Sequence, residues 1–156
     1  MSIAASRRVV ITGMGVVTAL GDTLEQFWSG LIEGRSGVGP LTVFDTTEFK
    51  VHFGGEVTGW NPEERFGTKE AKRLDRFAQF ALCAATQAVA DSSIAFENCP
   101  PYRCGVMIGS GIGGLNEFET QHSAMRDKGP SRISPFTIPK LMVNAASAQI
   151  SIRWGL

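Results

Sequence analysis

Apolar residues recur along this chain in two patterns, and the alternation of those patterns is its first structural signal. Val9-Val10-Ile11, opened by Arg7-Arg8 and closed by Thr12-Gly13, is a continuous β-branched run of the kind found in strands covered on both faces. Cys104-Gly105-Val106-Met107-Ile108 repeats that pattern ahead of Gly109. Between and after these runs the period becomes helical. Leu24, Phe27, Trp28, Leu31 and Ile32 follow Thr23 and Gln26, which have the spacing of a capping box, and Gly34 stands where a C′ glycine belongs. From Lys69 to Val89, Leu74, Phe77, Ala78, Ala81, Leu82, Ala85, Ala88 and Val89 share one stripe, which predicts a single long helix. Asn116 to Lys128 predicts another, stopped by Gly129-Pro130. A last helix starts near Pro139 and carries Ala145, Ala146, Ser147 and Ala148, small enough for close backbone approach.

Strands alternating with helices predict an α/β sandwich whose strands are at least partly parallel. Residues 34–67 are rich in Gly, Thr and Pro and hold short strand-like pieces such as Val51-His52-Phe53, so they read as an excursion from the core. Two core strands fall short of the roughly 4–6 in a usual sheet. The 156 residues are therefore expected to be one part of a larger α/β domain, poorly stable alone and exposing an apolar patch.

Charge narrows the function classes. Fifteen basic residues balance fifteen acidic ones, which gives no global drive toward nucleic acid or an anionic membrane, and neither is expected as a partner. The apolar run near the N-terminus is too short for a signal core or a spanning helix. Cys83, Cys99 and Cys104 form no metal-ligand spacing, and an odd thiol count suits a reducing cytoplasm. None sits on a sharp strand-to-helix turn, and His52 and His122 are isolated, so neither a catalytic set nor a metal site is read here.

Three motifs invite chemistry. Gly13-Met14-Gly15-Val16-Val17-Thr18 follows a predicted strand, but Thr18 replaces the third small residue of a dinucleotide fingerprint and the helix begins too late. A structural turn is the better reading, and no cofactor is expected. Gly109-Ser110-Gly111-Ile112-Gly113-Gly114 lacks the Lys-Ser/Thr ending of a phosphate loop; its glycines permit close approach to a ligand or to a neighbouring element. Lys69, Lys72, Arg73 and Arg76, with Arg65 nearby, form a basic face that is either a solvated surface interleaved with Glu70 and Asp75 or a patch for an acidic partner.

Several segments, taken in order, resemble the β-ketoacyl-acyl-carrier-protein synthases. They are Arg8 to Gly15, Gly34-Arg35-Ser36-Gly37, Phe44-Asp45-Thr46, Lys69 to Phe77, Ile108 to Gly114, Gly129-Pro130, Ile133-Ser134-Pro135-Phe136 and Val143-Asn144. The Gly-Ser-Gly-Ile-Gly-Gly and Ile-Ser-Pro-Phe pair favours the synthase II branch. The resemblance implies the N-terminal part of a thiolase-like αβαβα sandwich that pairs as a homodimer. It implies a ping-pong acyltransferase of fatty-acid synthesis, in which a cysteine takes an acyl chain and malonyl-ACP then supplies a carbanion by decarboxylation. The nucleophilic cysteine, two histidines and a lysine are expected beyond Leu156, so no catalytic residue is assigned in this chain. Binding positions do carry over. Gly111 and Ile112 match pocket-wall positions that limit acyl length, with Leu115 beside them. Thr137 and Ile138 match residues that reach into the partner subunit's tunnel, Thr137 standing where an aromatic is common. Lys69, Lys72 and Arg73 match positions that dock acyl carrier protein. A non-catalytic carrier-binding or dimer-interaction module is the alternative.

Overall fold

The computed structural model describes residues 8–156. Its helices are α1 (Leu24–Ile32), α2 (Pro62–Ala71), α3 (Arg76–Ser92), α4 (Leu115–Lys128), α5 (Thr137–Leu141) and α6 (Ala145–Trp154), with two short strands, β1 (Val38–Pro40) and β2 (Phe53–Gly55). The centre is the packing of α6 on α3. Leu74, Ala78 and Leu82 meet Ala146 and Ile150, with Phe77, Ala81, Val106 and Trp154 around them. Ala146 is wholly buried, so the small residues of α6 let the two helix backbones close on each other, as their size predicts.

Local chemistry fixes the ends of these elements. Thr23 caps α1 by accepting the Gln26 amide at 3.3 Å, while Gln26 reaches back to the Asp22 amide at 3.1 Å rather than to that of Thr23. Gly34 takes a left-handed φ of 66° just past α1, as its place in the sequence predicts. Within residues 34–67, β1 and β2 form a small antiparallel hairpin in which Val38 pairs with Gly55 and Pro40 with Phe53. The Glu56 carboxylate gathers the loop beside it, accepting the Val43 and Thr42 amides at 3.0 and 2.7 Å. These bonds, that of Val43 first, hold its carboxyl below the usual glutamate range.

The expected long helix over Lys69 to Val89 is two helices. Asp75 turns back to cap α3 through the Phe77 amide, and the chain between Ala71 and Arg76 breaks the helical run although Leu74 stays on the buried stripe. A stripe of buried residues survives such a break, because burial is decided by direction and not by continuity. The expected last helix is likewise divided, into α5 with Pro139 inside its first turn, and α6, which starts at Ala145.

The two expected core strands are not formed among the described residues, whose only sheet is the β1–β2 hairpin. Arg7 lies outside the described residues. Val9, Val10 and Ile11 are 94%, 73% and 83% exposed, and Met107 is 96% exposed. A strand covered on both faces needs neighbours, and nothing in these residues pairs with either run. The apolar surface so displayed predicts that the isolated chain binds an apolar dye such as ANS and self-associates in solution. A monomeric, dye-silent chain with a cooperative melt would contradict this.

Candidate functional site

The five clustered cations separate into three classes once folded. Arg65 pairs with Asp22 and lies over the Trp60 ring, and Arg76 donates to the Val57 carbonyl at 2.6 Å beneath Phe80. Glu70, expected to screen this face, pairs with Arg153 of α6 instead. Asp75, the other expected screening acid, is buried as the α3 cap. Lys69, Lys72 and Arg73 are left exposed at the end of α2, with no ion pair among the described residues. Of the five clustered cations, Lys69, Lys72 and Arg73 are thus the ones left without an acidic partner among the described residues.

This patch borders a groove of about 690 Å³ lined by Lys69, Arg73, Phe136, Pro139, Gln149 and Ile152 among others. The Arg73 guanidinium lies over the Phe136 ring, 5.2 Å from its centroid. Phe136 is the residue before Thr137, so the basic patch touches the segment that carries two of the acyl-pocket candidates.

The other candidates lie where α4 and α5 meet. The glycine loop divides in function. Gly113 has φ +80°, and a side chain there would strike the Leu141 carbonyl oxygen at 2.6 Å; one at Gly114 would strike the Lys140 carbonyl oxygen at 2.6 Å. Gly109 and Gly111 have open space around them. Close packing therefore accounts for the last two glycines, while Gly111 and Ile112 face outward. Leu115 opens α4, and Thr137 and Ile138 open α5. Leu115, Ile112 and Ile138 are exposed, and none of the five candidates lines the groove beside the basic patch. They sit on the rims of two packed elements.

A polar junction under this rim goes beyond what sequence reasoning singles out. Gly114 precedes α4 but has no side chain to cap it. Asp75 supplies the missing acceptor from 42 residues away, taking the Glu117 amide at 3.2 Å on one oxygen and the Phe77 amide at 3.4 Å on the other. One buried carboxylate thereby serves two helix N-termini, where negative charge is also favoured by the backbone dipoles. The Glu117 side chain is buried in turn and pairs with Lys140 of α5. Gln79 completes the surroundings, accepting from the Trp60 indole at 2.9 Å and donating to the Leu74 carbonyl at 3.1 Å. The sequence does carry a signal, an acid one residue before a helix and another in a first turn, but only the fold brings the two together.

The remaining motifs resolve as packing. Gly13 and Gly15 lie directly against the α3 backbone at Ala88 and Ala84, with no room for a Cβ. The loop is tied there by the Met14 amide to Asp91 at 2.9 Å and by Gln87, which accepts from Val16 at 3.1 Å and donates to its carbonyl at 3.2 Å. The expected strand-to-helix turn is not formed at these residues; they run as irregular chain packed on α3, and the first turn comes at Ala19–Leu20. Burial pushes the Cys104 thiol above its ordinary pKa, with Cys99 beside it adding to the effect, opposite to what an activated nucleophile requires. His122 stacks on Phe118, and His52 contacts Thr46 at 3.3 Å. Among the described residues no three His, Cys, Asp or Glu side chains gather as metal ligands, and no helix is long and apolar enough to cross a membrane.

The shared cap gives a direct expectation. In a family-length protein carrying this chain, Asp75→Ala removes one cap and orphans the buried Glu117 amide, and should cost about 2 kcal/mol or more in denaturant unfolding. Asp75→Asn, which keeps an acceptor, should cost less; equal stability of the alanine variant and the parent would contradict the shared role.

Comparison with known proteins identifies the family of this chain. The sequence profile of the β-ketoacyl synthase N-terminal domain matches residues 6–156. The chain is 46% identical over 149 residues to 3-oxoacyl-[acyl-carrier-protein] synthase 2 of Synechocystis, covering 96% of this chain and 36% of that protein. It is 42% identical over 150 residues to the protein of the same name from Staphylococcus aureus, with the same coverage. The ishigamide ketosynthase/chain length factor structure superposes with a TM-score of 0.78 at 27% identity, over 95% of this chain and 37% of that one. The chain thus spans little more than a third of the length of these relatives, and the fold is part of the thiolase-like α/β sandwich to which they belong. Matched by the family's N-terminal domain over residues 6–156 and 46% identical to one of its members, the chain belongs to the β-ketoacyl synthase family.

Proposed function

We propose that this chain is the N-terminal part of a cytoplasmic, homodimeric 3-oxoacyl-ACP synthase of the type 2 class. Its reaction is the decarboxylative condensation of an enzyme-bound acyl group with malonyl-ACP in fatty-acid synthesis. The cysteine, histidines and lysine of that chemistry are supplied outside these residues. What this chain contributes is selection. Lys69, Lys72 and Arg73 receive the acidic face of acyl carrier protein, and Gly111, Ile112, Leu115, Thr137 and Ile138 border the acyl chain. No cofactor or metal is needed, because the electron pair of the bond to the malonyl carboxylate stays on the α-carbon as CO2 leaves, and forms the new C–C bond as the cysteine thiolate departs.

The observation that carries this reading is the contact of Arg73 with Phe136. It puts a patch of uncompensated positive charge immediately beside the segment that would line the tunnel, so a carrier docked on the patch has its acyl group delivered close to the pocket. The relatives' name supplies the carrier protein as the partner to test.

In a family-length synthase carrying this chain, Lys72→Glu should weaken acyl carrier protein binding by about tenfold or more at low salt, with the loss shrinking as salt rises. The same reversal at Lys50 on the excursion should leave affinity unchanged. Titration by calorimetry or fluorescence anisotropy reads both. Unaltered affinity for Lys72→Glu would remove the patch from the docking surface.

A further inference from the structure

We propose that the buried Glu117–Lys140 pair is a positioning device that sets acyl reach, by fixing on α4 the seat of α5, whose Thr137 and Ile138 enter the partner subunit's tunnel; this rests on the pocket reading given above. The two residues are distant in sequence but join the elements that matter. Glu117 stands in the first turn of α4, two residues after Leu115 and five after Ile112. Lys140 stands in the last turn of α5, two residues after Ile138 and three after Thr137. Each partner of the pair is therefore within one helical turn of a pocket candidate on its own element.

The surroundings make this pair more than a surface contact. The Glu117 side chain is 5% exposed and that of Lys140 17%, so water screens them little. The Glu117 amide is held by Asp75, and a main-chain bond from Gly114 to the Leu141 carbonyl at 3.0 Å runs beside the ion pair. The second Glu117 oxygen, Oε1, is buried with no hydrogen-bond partner, so among the described residues Lys140 is the only cation compensating this carboxylate. Breaking such a pair from one side leaves a buried charge without its partner, which favours separation of α4 and α5 to admit water. α5 is short, at five residues, and cannot hold its place by its own backbone bonds. Its position is set by what it touches: Glu117, the glycine loop and, just before its start, the Arg73–Phe136 contact.

The pair thus acts through other residues and touches no substrate. Its loss should change which acyl chains are accepted, since one methylene more or less in an apolar pocket discriminates by about 10–200-fold. The test measures kcat/KM for a series of acyl-ACP lengths on a complete synthase in which this chain is the N-terminal part. The variants are Lys140→Met, Glu117→Gln with Lys140→Met, and Ile112→Phe. Lys140→Met should shift the ratio of long-chain to short-chain kcat/KM by about tenfold. The double variant, which lacks the pair but buries no unpaired charge, should show the same shift. Ile112→Phe, which fills the pocket wall directly, should shift the preference toward short chains.

A fall in activity equal at every chain length for Lys140→Met, or an unchanged ratio, would overturn the positioning role while leaving the pocket intact if Ile112→Phe still shifts the preference. If Lys140→Met does not fold, a double variant with a shifted ratio supports the role, and one with parental preference or uniformly lowered activity opposes it. An unchanged preference in Ile112→Phe would instead overturn the pocket reading, and the positioning role with it.

Discussion

One steric constraint organises the functional part of this chain: α5 lies so close to the start of α4 that residue 114 can have no side chain. A helix N-terminus without a capping side chain leaves its first amides to be satisfied from elsewhere. Asp75, already obliged to cap α3, supplies the second acceptor to α4. From that single carboxylate follow the break between α2 and α3, the common origin of α3 and α4, and the seat on which α5 rests. Glycine and aspartate are paired here as cause and remedy. The glycine allows two backbones to meet, and the acid repairs the cap that the glycine cannot provide.

This geometry explains why positions scattered over some seventy residues of sequence converge. The break after Ala71 ends α2 at the surface and leaves Lys69, Lys72 and Arg73 displayed, while the cations on either side are absorbed by Asp22 and the Val57 carbonyl. The same break turns α3 inward to meet the alanines of α6. Arg73 reaches the Phe136 ring from one side of the junction, and Lys140 reaches Glu117 from the other. α5 is thereby held at both ends by charge, once over an aromatic face and once against a buried carboxylate. A short helix gripped in this way can present Thr137 and Ile138 at a defined height over the glycine loop.

Much of this is legible in the amino-acid sequence. α1 with its Thr23 cap and Gly34 stop, α4 with its Gly129 end, and the small-residue face of α6 are all local signals, and local signals survive whatever the rest of the chain does. The family resemblance is legible from ordered motifs, and it points to the basic patch and the pocket candidates. Other features are not legible. The stripe from Leu74 to Val89 has unbroken helical direction, so it conceals the break that Asp75 makes. The strands expected at Val9–Ile11 and Cys104–Ile108 rest on apolar, β-branched composition, which reports what a strand wants to bury and not whether neighbours are present to bury it. The Asp75–Glu117–Lys140 junction has no local signature, because its members are 42 and 23 residues apart and meet only through packing. The fate of Gly13 and Gly15 does have one: a late helix start argues for packing over phosphate, and their contact with α3 is that packing.

The central claim is that the α4–α5 junction carries the wall of an acyl pocket beneath a carrier-docking patch. A crystal structure of a complete synthase carrying this chain, with a long acyl group on its nucleophile, tests this most directly. The expected result places the far end of the acyl chain in contact with Ile112 and with the partner subunit's Ile138, with Asp75 still holding the Glu117 amide and Glu117 still paired with Lys140. An acyl chain running away from the glycine loop, or an α5 that has left α4 with the acyl group bound, would contradict it.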